Sequence, residues 1–264
     1  MDLSGGEPRA VSADGVITVR EARDGVALVA MEDRENKNTF TDALVHGLGR
    51  AFHEVGADER FKAVVLTGYG NYFCTGGKRE ALLDIQAGKA TFLRAEGQPN
   101  VFSLPLDCPV PVVAAMQGHA IGGGLTMGLF ADFVVLARES VYTANFMKYG
   151  FTPGFGSTAV FPTKLGLPLA QEFLLTARTF RGAELAERGV PFPVHPRARV
   201  LTAALDLAEE LVEKPRRSLV ALKDRLVGDL RARLPEAVSE ELAMHELTFH
   251  QPEVRALLNS RYGE

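Results

Sequence analysis

Short apolar runs rich in β-branched residues alternate with segments of helical period along the first half of the chain. Three runs have the length and composition of strands buried on both faces, and they lie at 63–67 (AVVLT), 111–116 (PVVAAM) and 133–137 (FVVLA). Two further runs, 16–20 and 26–31, flank a polar turn and predict a hairpin. Thr41 is a suitable N-cap for the helix that follows. Strands that alternate with helices predict an α/β core with parallel strands.

Helical periodicity dominates the second half of the chain. The pattern predicts helices at 169–177, 182–188, 198–212, 218–234, 235–250 and 252–262. The start of the chain is instead rich in Gly, Ser, Pro and charged residues. We therefore divide the chain into a disordered leader (1–14), an α/β core (15–195) and a helical carboxy-terminal region (196–264).

Charge and cysteine content exclude several classes of function. The formal net charge of the 264 residues is −4, which gives no general electrostatic basis for binding nucleic acid. Cys74 and Cys108 occur without a CxxC motif or a Cys/His cluster, so neither a disulfide scaffold nor a structural metal site is expected. The sequence has no run of 18 apolar residues and no signal-peptide pattern at its start. We expect a cytoplasmic protein that contacts neither membranes nor nucleic acid.

Two glycine-rich turns follow two of the predicted strands. Residues 71–77 (NYFCTGG) come after the strand at 63–67, and residues 118–124 (GHAIGGG) come after the strand at 111–116. Turns of this kind expose backbone N–H groups, so two of them on neighbouring strands can direct two donors at one point, as in an oxyanion hole. The alternative is that both segments are ordinary tight turns. Neither matches a phosphate-binding loop.

Three segments together resemble, in order and spacing, the crotonase (enoyl-CoA hydratase/isomerase) superfamily: 72–77 (YFCTGG), 117–124 (QGHAIGGG) and 150–157 (GFTPGFGS). The resemblance implies a fold built as a spiral of ββα units, with a helical carboxy-terminal region through which subunits form a homotrimer or a dimer of trimers. It also implies a site for an acyl thioester. The oxyanion hole of that site maps to the amides of Gly77 and Gly123.

The sequence departs from the hydratases of this family at two positions. Those enzymes carry one glutamate shortly after the GGG turn and another a few residues before the Pro-Gly motif, and the two carboxylates activate water and deliver a proton. Here the first position is Thr126 and the second is Phe146. Neither side chain is a base near neutral pH, so hydration by paired carboxylates is not expected.

Residues 142–154 (YTANFMKYGFTPG) and 241–252 (ELAMHELTFHQP) are similar to the decarboxylating branch of the family that is found in polyketide β-branching cassettes. This resemblance implies that a 3-methylglutaconyl group on an acyl carrier protein loses CO2 to give a 3-methylcrotonyl-type thioester. Phosphopantetheine would carry the substrate, and no metal or other cofactor would be needed. Loss of CO2 leaves a dienolate whose charge settles on the thioester oxygen, where two amide donors stabilise it.

The resemblance also implies roles for individual side chains. His245 would be the acid that protonates the dienolate. A lysine after the first glycine turn would bind the substrate carboxylate, and we favour Lys89 over Lys78. Phe146, Phe151 and Phe155 would form an apolar wall beside the substrate, although ordinary core packing is an equally good interpretation of these aromatic residues.

Two other side chains near the glycine turns have weaker cases. His119, in the second turn, is a candidate substrate-binding residue with a minor role in supporting that turn. Cys74 lies beside the first turn, but no His/Asn or His/Asp arrangement that would activate a thiol is evident, so a small buried residue is the better interpretation. The basic stretch at 214–233 is either a solvated helix face or a docking surface for an acidic carrier protein.

Other functions are also compatible with the sequence. One is an isomerase, dehydratase or hydratase of the same fold that acts on a related acyl thioester, since an isomerase needs a single proton shuttle, which His245 can provide. Another is a non-catalytic subunit that keeps the oxyanion hole and binds acyl thioesters.

Overall fold

The computed structural model describes residues 10–90 and 100–262, with the backbone alone for residues 10–14. The strands are β1 (Ala10–Asp14), β2 (Ile17–Arg23), β3 (Val26–Met31), β4 (Ala63–Thr67), β5 (Tyr72–Cys74), β6 (Val112–Met116), β7 (His119–Ile121), β8 (Phe133–Ala137), β9 (Val141–Thr143), β10 (Thr179–Arg181) and β11 (Val194–His195). The helices are α1 (Asp42–Ala57), α2 (Arg79–Gln86), α3 (Leu104–Asp107), α4 (Gly123–Leu129), α5 (Ser157–Leu165), α6 (Leu167–Thr176), α7 (Gly182–Glu187), α8 (Arg197–Val212), α9 (Arg216–Thr248) and α10 (Pro252–Arg261). This alternation confirms the predicted α/β class.

In the described part of the chain, the larger sheet has seven strands in the order β1-β2-β3-β4-β6-β8-β11. From β3 to β11 neighbouring strands are parallel, whereas β1, β2 and β3 pair antiparallel. All residues of β4 and β6 are buried, which explains their uninterrupted apolar sequences. Helix α8 covers one face of this sheet through Val200, Ala204 and Ala208, and the larger core lies on the other face.

A second, smaller sheet has the order β10-β9-β7-β5 among the described residues. The sequence analysis did not predict it, because strands of three residues are too short to give a clear hydrophobic period. Strand β5 pairs parallel with β7, and β7 pairs parallel with β9. Since β5 and β7 belong to the two glycine-rich segments, this sheet brings those segments together.

Helix α1 begins as predicted, because the Leu44 N–H donates to the Thr41 side chain at 3.2 Å. The prediction of separate helices at 218–234 and 235–250 was wrong: α9 is continuous over 33 residues and contains Pro235. An interior proline costs a helix about 3 kcal/mol. Buried side chains on both sides of Pro235, including Leu234 before it and His245 after it, hold the two halves of α9 on one core.

The end of the predicted leader also differs from the structure. Residues 10–14 form β1, whose backbone pairs with β2 at the edge of the larger sheet, so they do not belong to a disordered segment. Residues 1–9 lie outside the described residues. Within the described ranges, no helix combines the length and apolar character that crossing a membrane requires.

Candidate active site

The two glycine-rich turns lie against each other at close range. A Cβ atom added at Gly124 would lie 2.2 Å from the carbonyl oxygen of Cys74, and one added at Gly118 would lie 2.3 Å from the amide nitrogen of Tyr72. Because real Cβ atoms do not approach backbone so closely, only glycine permits this packing. The second turn therefore sits directly beside the strand that leads to Gly76 and Gly77.

Gly77 and Gly123 both lie close to the start of a helix. Gly123 is the first residue of α4, and Gly77 directly precedes Lys78, the N-cap of α2. Amides in the first turn of a helix have no acceptor inside that helix, and this applies to Gly123. Both glycines line one cavity of about 690 Å³, so the structure brings the two predicted oxyanion donors to the same site.

Aromatic side chains form much of the cavity wall. Phe102 stacks on Phe155 with ring centroids 4.0 Å apart, and it contacts Phe40 edge-on at 4.6 Å. Phe146 and Phe151, predicted to form a wall, line the cavity with centroids 6.1 Å apart. Much of the cavity wall is therefore apolar, and Phe102 and Phe146 lie beside the second glycine turn.

Two positions of the cavity region, Thr126 and Phe146, are those at which hydratases of the family carry glutamates. Thr126 is fully buried, with its hydroxyl 3.2 Å from the Gly122 carbonyl oxygen and 2.8 Å from the Ser157 hydroxyl. Phe146 lies near Gly122, its ring 3.8 Å from where a Cβ of that glycine would be. Neither position offers a carboxylate to activate water.

His245 lies on α9 and lines the cavity, as predicted. It is only 4% exposed, and its Nε2 is 2.8 Å from the carbonyl oxygen of Thr152. A carbonyl can only accept, so Nε2 carries a proton in this contact. Burial lowers the pKa of His245 below its ordinary value of 6.5, although the carbonyls of Thr152 and Pro153 and the charge of Glu246 oppose that shift.

Glu241, one helical turn before His245 on α9, is a buried carboxylate in the cavity lining that the sequence analysis did not single out. It is 1% exposed. Its Oε2 accepts from the Gly156 N–H at 2.6 Å, and its Oε1 accepts from the Thr158 N–H at 2.7 Å and hydroxyl at 2.6 Å. Burial raises the pKa of Glu241, and the hydrogen bonds from Thr158 and Gly156 oppose that shift. Its spacing of four residues from His245 was the available signal.

The structure separates the two candidate lysines. Lys78 lines the cavity beside Gly77. Lys89 is exposed after the end of α2 and does not belong to the cavity lining, so the preference for Lys89 is not supported by the geometry. Arg231 also lines the cavity, but its guanidinium contacts Asp224 at 2.5 Å and Asp107 at 3.7 Å. Lys78 therefore replaces Lys89 as the candidate for binding a carboxylate.

His119 and Cys74 do not belong to the cavity lining. The Val141 N–H donates to Nδ1 of His119 at 3.1 Å, which joins β9 to β7, so the assignment of His119 to substrate binding is corrected to support of the smaller sheet. Cys74 is fully buried, and burial raises the pKa of its thiol to about 12, which excludes an activated nucleophile at neutral pH. No cluster of His, Cys, Asp or Glu fit to hold a metal ion occurs within the described ranges.

The carboxy-terminal helix α10 brings a tyrosine to the glycine turn. The hydroxyl of Tyr262 donates to the carbonyl oxygen of Gly77, and its ring stacks on Tyr149 with centroids 5.5 Å apart. Arg79 on α2 donates to the Asn259 side chain at 2.6 Å and so ties α10 to α2. Burial raises the pKa of Tyr262 to about 12, which keeps its hydroxyl protonated. No local sequence pattern indicates this contact, which joins residues far apart in the chain.

Comparison with known proteins places this geometry in a family. The family model described as enoyl-CoA hydratase/isomerase matches residues 21–263. The bacillaene synthase decarboxylase PksI of Bacillus subtilis (strain 168) is 55% identical over 248 residues, which are 94% of this chain and 98% of that protein.

Solved structures agree with that result. A chain from a dehydratase/decarboxylase enzyme couple involved in polyketide β-branching has a TM-score of 0.90 at 55% identity, over 94% of this chain and 96% of that one. The ECH2 decarboxylase domain of CurF from Lyngbya majuscula has a TM-score of 0.89 at 44% identity, over 94% of this chain and 99% of that one. The fold, the paired glycine turns and these similarities lead to one conclusion: the chain belongs to the enoyl-CoA hydratase/isomerase family.

Proposed function

We propose that this protein is a carboxy-lyase that removes CO2 from a 3-methylglutaconyl group on an acyl carrier protein and yields a 3-methylcrotonyl-type thioester. The observation that carries the proposal is one cavity lined by the backbone of Gly77 and Gly123 and by the buried side chain of His245. At the two hydratase positions the chain has Thr126 and Phe146 instead of carboxylates. The similarity to decarboxylases of polyketide synthesis supports the same reaction.

The chemistry needs an electron sink and an acid rather than a base. With the thioester oxygen between the amides of Gly77 and Gly123, the bond between C4 and the carboxylate carbon breaks and its electron pair enters a dienolate. CO2 leaves, and a proton from His245 forms the new C–H bond at C2 or C4. The amide donors stabilise the charge that develops on the thioester oxygen.

Burial of His245 suits this role as a proton donor. Because its pKa is lowered, the protonated ring is a stronger acid than a histidine in water and gives up its proton more readily. The negative charge of the substrate carboxylate would favour the protonated ring before reaction. Lys78 would bind that carboxylate until CO2 departs.

We also propose that substrates arrive on phosphopantetheine, that no other cofactor takes part, and that the protein is a homotrimer. Since the thioester carbonyl is itself the electron sink, the reaction requires no further electron acceptor. Leu222 and Leu226 on α9 are 58% and 73% exposed, which suits a contact between subunits.

The same helix limits the proposed docking surface for a carrier protein. Lys223 is buried and binds Asp132 at 2.8 Å, and Arg216 donates to the carbonyls of Phe61 and Gly56. Arg217 and Arg225 of the same helix are exposed to solvent. Fewer basic side chains of this helix are therefore available to bind a carrier protein than the sequence of residues 214–233 contains. Equal kcat/KM for the same acyl group on coenzyme A and on a carrier would contradict it.

Mass spectrometry of 3-methylglutaconyl-carrier protein incubated with the enzyme tests the reaction. We expect loss of the mass of CO2. Gain of the mass of water would indicate hydration and contradict the mechanism. An unchanged mass with a shifted double bond would indicate an isomerase, and binding without any conversion would indicate a non-catalytic subunit.

A further inference from the structure

Glu241 is a buried charged group that the proposed mechanism does not use. Its two carboxylate oxygens receive three hydrogen bonds, all from Gly156 and Thr158 at the start of α5. Burial disfavours its ionised form, as its raised pKa shows. An apolar residue of similar size would avoid that cost, so the carboxylate serves a purpose other than packing.

The segment that Glu241 binds carries part of the cavity wall. Phe155 has φ of +68°, in the left-handed region that residues with a Cβ rarely adopt. Such conformations persist where the surrounding structure holds them. Phe155 directly precedes Gly156, whose N–H donates to Glu241. The ring of Phe155 stacks on Phe102.

Helix α9 contacts the same segment at two further points. Nε2 of His245 lies 2.8 Å from the Thr152 carbonyl oxygen, and the Thr152 N–H donates to the Thr248 hydroxyl at 3.4 Å. Glu241, His245 and Thr248 are spaced by four and three residues and so share one face of the helix. One stripe of α9 therefore holds residues 152–158 from end to end.

We propose that Glu241 is a positioning residue whose carboxylate fixes the 152–158 segment on α9 and thereby sets the positions of His245 and Phe155 in the cavity. Its effect on catalysis rests on the decarboxylation proposed above, whereas its effect on His245 can be measured without substrate. The rival interpretation is that Glu241 only caps α5, in which case its loss lowers stability and leaves the imidazole environment intact.

NMR titration of the histidine side chains in the full-length protein separates these interpretations. His245→Ala identifies the His245 signals. In the unaltered protein we expect a midpoint below 6.5 and a neutral ring protonated at Nε2. Glu246 of α9 is a charged group that acts on His245, and the 152–158 segment contributes the carbonyls of Thr152 and Pro153. These residues are kept in the variants compared.

Glu241→Gln should move the midpoint of His245 further below 6.5 and reduce the preference for the Nε2 tautomer, because the ring loses the Thr152 carbonyl that favours its protonated form. Glu240→Gln makes the same change at the neighbouring exposed position and should leave both properties unchanged. Thr158→Val, which removes only the hydroxyl donor to Glu241, should cause a smaller shift in the same direction.

Unchanged His245 signals in Glu241→Gln would overturn the proposal. If that variant does not fold, Thr158→Val decides, since an unaltered titration there also overturns it. With the 3-methylglutaconyl carrier, Glu241→Gln should lower kcat by about 10²-fold through misplacement of the acid and change the ratio of the two double-bond isomers. A protein without decarboxylase activity would contradict the proposed function, and the titration would still decide the role of Glu241.

Discussion

One side of the cavity is formed mainly by backbone groups, and the other is formed mainly by side chains. The oxyanion side, at 76–77 and 122–124, depends on backbone amides held by glycine contacts such as that of Gly124 with Cys74. The wall side, formed by Phe146, residues 151–158 and α9, depends on side chains. Because the first side contains no reactive side chain, it can bind a thioester for many reactions, and the second side decides which reaction follows.

Removal of the acid on the wall side should have the largest effect. We expect His245→Ala to lower kcat by about 10²–10⁴-fold, the range for loss of a general acid, with a small effect on KM. Steady-state CO2 release measures it. His250→Ala is the control, because His250 is exposed just after the end of α9, contacts the Gln86 carbonyl and does not belong to the cavity lining. Full activity of His245→Ala would assign the proton to another donor.

The oxyanion side is tested by a pair of substitutions at one position. A Cβ at Gly123 would lie 2.7 Å from Phe102, so Gly123→Ala and Gly123→Pro both displace that ring, but only proline removes the N–H. Proline is also acceptable at the first position of a helix. We expect proline to be slower than alanine by about 10²–10³-fold in kcat. Equal rates would mean that this amide does not bind the developing oxyanion.

The lysine assignment gives a smaller effect. Lys78→Met should lower kcat/KM by roughly 10–100-fold, because a hydrogen bond to a charged group contributes about 1.5–3 kcal/mol. Lys89→Met should leave kcat/KM unchanged, since Lys89 is exposed outside the cavity lining. The reverse result would restore the choice made from the sequence.

The pH profile sharpens the comparison within the wall side. His245 must be protonated to act as an acid, and its pKa is lowered by burial. We therefore expect kcat/KM to fall as pH rises above that lowered pKa, by up to about tenfold per pH unit. Stability should follow the opposite direction: the unfolded chain binds the proton more tightly, so this group destabilises the fold as pH falls below about 6.5. A flat rate profile in this range would contradict the role of His245.

Tyr262 links the carboxy-terminal region to the oxyanion side and should give the smallest effect. Tyr262→Phe removes the hydroxyl that donates to Gly77 and keeps the stacking on Tyr149. Since one hydrogen bond contributes about 0.5–1.5 kcal/mol, we expect kcat to fall by no more than about tenfold. A loss as large as that of Gly123→Pro would mean that Tyr262 contacts the substrate itself.

The sequence predicted those features that local patterns determine. The buried strands β4, β6 and β8 follow from apolar runs, and α1 follows from its cap at Thr41. Two glycine turns after neighbouring strands indicated an oxyanion hole, and the resemblance to the crotonase superfamily identified Gly77 and Gly123 as its donors. The short strands of the smaller sheet were not predicted, because three residues are too few to show a hydrophobic period.

Tertiary contacts account for what the sequence could not supply. Pro235 was expected to begin a helix, but packing on both sides of it outweighs the local cost. Lys78 and Lys89 cannot be distinguished without knowing where α2 ends. Glu241 and Tyr262 act through partners that are 85 and 185 residues away in the chain, and no local pattern reports such distances.

The continuity of α9 has a consequence for how this chain can change in length. Its 33 residues span about 50 Å, and each residue turns the helix by about 100°. A single insertion or deletion between Lys223, anchored on Asp132, and Glu241 would rotate the whole stripe of Glu241, His245 and Thr248 away from its segment. Surface loops of this protein can vary in length, but this helix can vary only in composition.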